Sequence, residues 1–195
     1  MVIHTGKKAI RALGIAESFA PSARRSTLAG VVIRTDLILD GFVFGNATVG
    51  GSDATEAVLK MCKKLGREDI NLLILSGCVI SRYNIIDVDE VSKRTGLPVV
   101  CLTYNESRGI VGSIRRNFPD PEEKLLQYRR LGGRSPVRLK TGYTVYVRCS
   151  NLTIPEAKRA LDAFTLQGVV PEPVRLAKLL ARSGSAMPPS SRTRR

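Results

Sequence analysis

The sequence predicts a mixed α/β sheet with helices on both faces, and three observations carry that reading. Two β-rich runs, LAGVVIR (28–34) and LILDGFVFGNATV (37–49), are separated only by Thr35-Asp36, a hairpin-like connection. Two short continuous apolar runs, INLLILS (70–76) and LPVVCLTY (97–104), suit strands buried on both faces. Stretches of helical spacing precede and separate those two runs. An antiparallel meander that passes into parallel crossover units gives a mixed sheet with helices on both sides.

Taken in order, KKAIRALGIAE (7–17) is the first strand, and the two β-rich runs complete three antiparallel strands. In GGSDATEAVLKMCKKLG (50–66), Ala54, Ala57, Val58, Met61, Cys62 and Leu65 recur on one helical face. Asp53 and Glu56 have the spacing of a capping box, and Gly66 ends the helix. The strand at 70–76 runs into Ser76-Gly77-Cys78. NIIDVDEVSKRTG (84–96) is an amphipathic helix, acidic at its start and basic at its end, as the helix dipole prefers. After the strand at 97–104 comes a loop, then a helix announced by Pro-Asp-Pro-Glu-Glu. VRLKTGYTVYVRCS (137–150) reads as a hairpin turning at Thr141-Gly142. Thr153 and Pro155 open a helix over 153–168, and PEPVRLAKLLARSG (171–184) is the last one. We expect one domain over 1–184 and a basic tail over 185–195, rich in Pro, Ser and Arg, that is disordered.

The net charge is +14, and its distribution matters more than its total. From Glu106 onward there are 18 Lys/Arg against 7 Asp/Glu; the first 105 residues hold 13 against 10. The positive field belongs to the C-terminal half, and a field of this sign attracts phosphate backbones. A solubility surface with a basic tail is the other reading of that charge. Trp is absent and aromatics are 5%, so stacking surfaces are few. No apolar run is long enough to span a bilayer and no secretory signal is visible, so the expectation is a cytoplasmic protein. Cys62, Cys78, Cys101 and Cys149 form no knuckle and His4 is the only histidine, which argues against structural zinc. Cys78 and Cys101 sit at the ends of apolar runs, where a free thiol acts as a small hydrophobe.

In such a sheet, ligands gather at the carboxyl ends of the parallel strands. The segments that reach that edge are Ala16-Glu17-Ser18, Gly50 to Asp53, and Ser76-Gly77-Cys78. Three antiparallel strands followed by αβαβ is the order of the ribonuclease H-like fold. LGIAESF (13–19), LDGFVFGNATVGGSDATEAV (39–58), LLILSGCVISRYNIIDVDEV (72–91), GLPVV (96–100) and PEPVRLAKLL (171–180) resemble a mainly archaeal domain-of-unknown-function family related to endonuclease V.

The resemblance implies Mg²⁺ or Mn²⁺ held by carboxylates at three places: the first strand, the start of the first helix and the end of the fourth strand. These map onto Glu17 (or its neighbour Ala16), Asp53 and Ser76. Hard cations take oxygen ligands, and converging carboxylates hold them beside a phosphodiester. The chain departs from the pattern twice: the first strand has at most one acid, and a neutral hydroxyl stands at Ser76. The metal candidates are therefore Glu17 and Asp53, with Ser76 completing the catalytic set. Gly51, Ser52, Tyr83, Asn84, Asp87, Arg115 and Arg116 are the candidate substrate contacts. Most have a structural alternative: Glu17 as a solvent-exposed strand end, Asp53 and Asn84 as helix caps, Ser76 and the Gly50-Gly51 pair as turn residues, Tyr83 as helix-entry packing, the arginines as a solvated face.

The leading function is nucleic-acid binding, to DNA or RNA, with a degenerate or weak metal-dependent phosphodiesterase site. An active Mg²⁺- or Mn²⁺-dependent endonuclease is the alternative. A nucleotide or small-molecule enzyme using the same crevice is a minor one.

Overall fold

The computed structural model describes residues 10–106 and 109–186. Strands β1 (Arg11–Ser18), β2 (Arg25–Arg34) and β3 (Leu39–Thr48) form the predicted antiparallel meander. Helix α1 (Ala54–Leu65) and strand β4 (Leu72–Leu75) follow, and β4 lies parallel to β1. A two-stranded ribbon, β5 (Val79–Ile80) and β6 (Asn84–Ile85), precedes helix α2 (Val88–Thr95). Strand β7 (Val99–Thr103) lies parallel to β4. Then come α3 (Val111–Asn117), α4 (Glu122–Arg130), β8 (Ser135–Arg138), β9 (Thr144–Ser150), α5 (Ile154–Phe164) and α6 (Glu172–Ala186). The main sheet has the order β3-β2-β1-β4-β7-β9-β8. The predicted C-terminal hairpin is present, and its second strand, β9, joins the sheet antiparallel to β7.

Strand alternation sorts the core into two layers. Ala12, Ala16, Val31, Leu72, Ile74, Val100 and Leu102 face α5 and α6, around Phe164, Val174 and Ala177. Leu13, Ile15, Leu28, Leu73, Leu75, Val99 and Cys101 face α1 and α2, around Val58, Met61, Val88 and Val91. Helix α6 lies across β1 and β2. Its start comes so close to the sheet that a Cβ on Gly14 would stand 2.3 Å from the carbonyl carbon of Pro173. Only glycine fits there.

Three local expectations change. Helix α1 begins at Ala54, the first apolar position of its pattern, whereas α2 begins four residues into the stretch read as helix, because Asn84-Ile85 pair as a strand. Asp53 makes no side-chain cap on α1. Cys78 and Cys101 are joined as a disulfide, Cα–Cα 6.1 Å, rather than lying as separate thiols; both remain buried. Thr153 with Glu156 does form a capping box on α5, and Gly66 ends α1 at φ 62°. Helix α6 continues through Ala186, two residues into the segment assigned to the tail. The rest of that tail, residues 7–9 of the first-strand reading, and His4 lie outside the described residues.

Candidate functional site

The carboxyl ends of β1, β4 and β7 meet at one edge of the sheet, and the β5–β6 ribbon folds over it. The ribbon turns through Ser81, Arg82 and Tyr83, three successive non-glycine residues at φ 45°, 54° and 68°. Left-handed conformations cost such residues energy and persist only where neighbours hold them. Of the two acids predicted as metal ligands, Glu17 holds Ser81 and Asp53 holds Asn84, the residue that follows the turn.

Glu17, at the end of β1, accepts the backbone N–H of Ser81 on both oxygens, at 2.8 and 2.9 Å. It also accepts the Ser81 hydroxyl at 2.5 Å. Asp53 accepts the Thr48 N–H at 2.9 Å, the Thr48 hydroxyl at 2.7 Å and the Asn84 side-chain amide at 2.7 Å. Burial pushes the Asp53 carboxyl up, but the Thr48 and Asn84 donors outweigh it and hold the group below the usual carboxylate range. Asn84 is fully buried, and its side-chain oxygen accepts the N–H of Ala54 at 2.9 Å. Asn84 therefore caps α1, from 30 positions along the chain, and not α2. Asp87 caps α2, accepting the Glu90 N–H at 2.9 Å.

The other candidates are placed as follows. The Lys124 ammonium, on α4, donates to the Gly51 carbonyl and, at 3.0 Å, to the Ser52 hydroxyl. An internal cation thus occupies the glycine turn read as a phosphate approach. Tyr83 packs edge-on against Phe118, centroids 5.5 Å apart, and its hydroxyl accepts from Asn117 at 3.1 Å. Arg115 and Arg116 are exposed on α3.

Ser76 follows β4 directly. The alternation that sends Leu72 and Ile74 toward α6 sends Ser76 the same way, with Ala16 of β1. Glu17 follows Leu13 and Ile15 toward α1. A void of about 10 Å³ lies between Glu17 and Ser76, room for a single water at most. Among the described residues no three His, Cys, Asp or Glu side chains are grouped to hold a metal. Each acid is already engaged by protein donors, and the donor set does not fit a hard divalent cation, which needs free carboxylate oxygens.

Ser76 opens instead onto a crevice of about 410 Å³ at the ends of β4 and β7. Tyr104, Asn105, Tyr128, Arg134, Arg148 and Lys178 line it, and among the described residues no carboxylate does. The Arg148 guanidinium lies over the Tyr128 ring at 5.9 Å, and Arg134 over Tyr146 at 6.0 Å. Burial lowers the Arg148 pKa, with Tyr128 pulling the other way. Burial raises the Tyr104 phenol; Ser76 lies near enough to oppose this, yet the hydroxyl has no partner in hydrogen-bonding geometry. The sequence reading missed these residues because they arrive singly from separate elements. The one available signal was Lys178, within the quoted PEPVRLAKLL.

The strand order and the strand-end crevice define a protein of the ribonuclease H-like fold, built on the endonuclease V plan. The fold is similar to that of endonuclease V of Ciona intestinalis, solved with inosine-containing DNA, at TM-score 0.62 and 12% identity, covering 91% of this chain and 86% of that one. The chain belongs to the endonuclease dU family, whose model matches residues 8–185. A UPF0215 protein of Pyrobaculum calidifontis is 38% identical over 170 residues, 87% of this chain and 93% of the relative. The structure of an Archaeoglobus fulgidus protein of unknown function matches at TM-score 0.79 and 26% identity, covering 91% of this chain and 99% of that one.

Proposed function

We propose that this chain is a nucleic-acid-binding protein whose endonuclease V-like metal site is degenerate or weak. The observation that carries the reading is the exchange of charge at the strand end. Where the resemblance implies carboxylates around a cation, Ser76 opens onto side-chain cations, and Glu17 and Asp53 are engaged in holding the β5–β6 turn. The excess of Lys/Arg after residue 105 supplies the field for a phosphate backbone.

Fluorescence anisotropy with labelled DNA and RNA in EDTA tests this. Affinity should fall linearly on a log–log plot against salt, with a slope of about −3 to −4 if four phosphates are neutralised. A flat salt response would remove the electrostatic basis. The second reading, an active Mg²⁺- or Mn²⁺-dependent endonuclease, draws on family membership; the family's name points to deoxyuridine in DNA as the target. Cleavage of uracil- or inosine-containing strands that needs Mn²⁺ and stops in EDTA would decide for it.

A further inference from the structure

We propose that the crevice at the ends of β4 and β7 binds a phosphomonoester directly, through Lys178, Arg148 and Arg134, with no metal ion between ligand and protein. This deepens the nucleic-acid reading and rests on it, by naming the group that the strand-end crevice takes.

Three independent features converge. The first is charge: among the described residues, three cations and no carboxylate line the crevice. Among the described residues, Lys178 and Arg148 have no ion-pair partner. Like charges gathered in a half-enclosed site repel one another unless an anion joins them. A terminal phosphate carries nearly two negative charges at neutral pH, whereas a diester carries one. Lys178 and Arg148, with no ion-pair partner among the described residues, match the former better.

The second is an orphaned hydroxyl. Tyr104 lines the crevice, and its hydroxyl oxygen is buried without a hydrogen-bond partner. Buried polar groups are normally satisfied; this hydroxyl is closed to solvent beside Ser76, and a shift of the crevice wall on ligand binding would bring it to an acceptor oxygen. A phosphate oxygen supplies one, and Ser76 and Asn105 offer further donors.

The third is size and shape. A volume of about 410 Å³ lies at the small end of ligand sites and suits one nucleotide rather than a strand. The guanidinium of Arg148 is fixed in place by the Tyr128 ring and by its Nε–H bond to the Gly132 carbonyl at 3.2 Å. Held this way, beside the Tyr128 hydroxyl, its two terminal nitrogens make the fork that phosphate oxygens fit.

The phosphate could belong to a free nucleotide or to the end of a strand, and the assay separates the two. Isothermal titration of the full chain in EDTA would use thymidine monophosphate, a short 5′-phosphorylated single-stranded DNA and its 5′-hydroxyl twin. The phosphorylated strand should bind about tenfold more tightly than the twin, the worth of one charge-assisted contact. Lys178→Glu, at an exposed helical position, should erase that preference, so that the phosphorylated strand and its twin bind equally. Lys93→Glu, an equal charge change at an exposed position on α2, should keep the preference.

Equal affinity for the two strands overturns the phosphomonoester site and leaves nucleic-acid binding standing. Binding of thymidine monophosphate alone, lost in Lys178→Glu, supports the site and overturns the nucleic-acid reading. A preference that appears only with Mg²⁺ overturns the metal-free proposal. No binding of any probe overturns both.

Discussion

Replacing Asp53 by alanine separates a structural acid from a metal ligand. In the structure its carboxylate accepts three donors: the Thr48 N–H, the Thr48 hydroxyl and the Asn84 amide. Asn84 in turn caps α1 and bonds the Thr48 carbonyl at 2.8 Å. Each such bond contributes about 1 kcal/mol net, and a charged acceptor somewhat more. Thr48 is exposed, so water recovers part of what its two donors lose. The buried Asn84 amide has no such recourse. The net cost is about 2 kcal/mol. For a chain of this length that is a fall in Tm of about 4–8 °C. Thermal unfolding followed by circular dichroism, in EDTA at neutral pH, measures it. Asp53→Asn keeps one acceptor oxygen and should lose less. A carboxylate held in readiness for a cation behaves in the opposite sense, since its removal relieves repulsion or changes nothing in EDTA. A Tm for Asp53→Ala equal to or above wild type would refute the structural assignment.

Gly14→Ala should cost about 3 kcal/mol, because the new Cβ meets Pro173 backbone that has nowhere to move; chemical denaturation reads the loss, and unchanged stability would contradict the close approach of α6. Breaking the Cys78–Cys101 link, which closes 23 positions of chain, should cost about 3 kcal/mol. Its Tm should therefore fall in reductant, and equal melting curves with and without reductant would mean the two sulfurs are not joined. Acid should weaken the fold through Asp69, held down to about 2 chiefly by its hydrogen bonds to Arg67. Asp40, bonded to Arg11 and Arg67, is lowered as well. Their folded pKa values lie below the unfolded value of about 3.9, so their stabilisation is complete above that pH and is lost as pH falls towards about 2. A Tm that stays flat over that window, at low salt, would remove these ion pairs from the account.

The core was readable because its periods are strong. The meander, the two buried parallel strands and the long helices follow from runs of apolar residues at spacing 1, 2 or 3.6. The β5–β6 ribbon has two residues per strand and leaves no period to find. The capping box read at Asp53 and Glu56 failed for a different reason. Its local spacing was right, but Asn84 supplies the cap from another part of the chain, and the carboxylate is drawn toward Thr48. Basic doublets such as Arg115-Arg116 drew attention because they are adjacent in sequence, and adjacency on a short helix places them in solvent. Arg134, Arg148 and Lys178 are single letters in three segments, and only the tertiary fold brings them together.

The cations of the crevice also bear on how this site could change. Writing the missing acid back by Ser76→Asp would set a carboxylate beside Lys178 and Arg148. An ion pair would form there before any Mg²⁺ was recruited, since the ammonium and guanidinium are already in place and shed water far more readily than Mg²⁺ does. On the proposed reading, restoring a full metal site takes more than this one substitution. At least one cation must leave before an added carboxylate can gain anything, so the path between the two chemistries passes through an intermediate that serves neither.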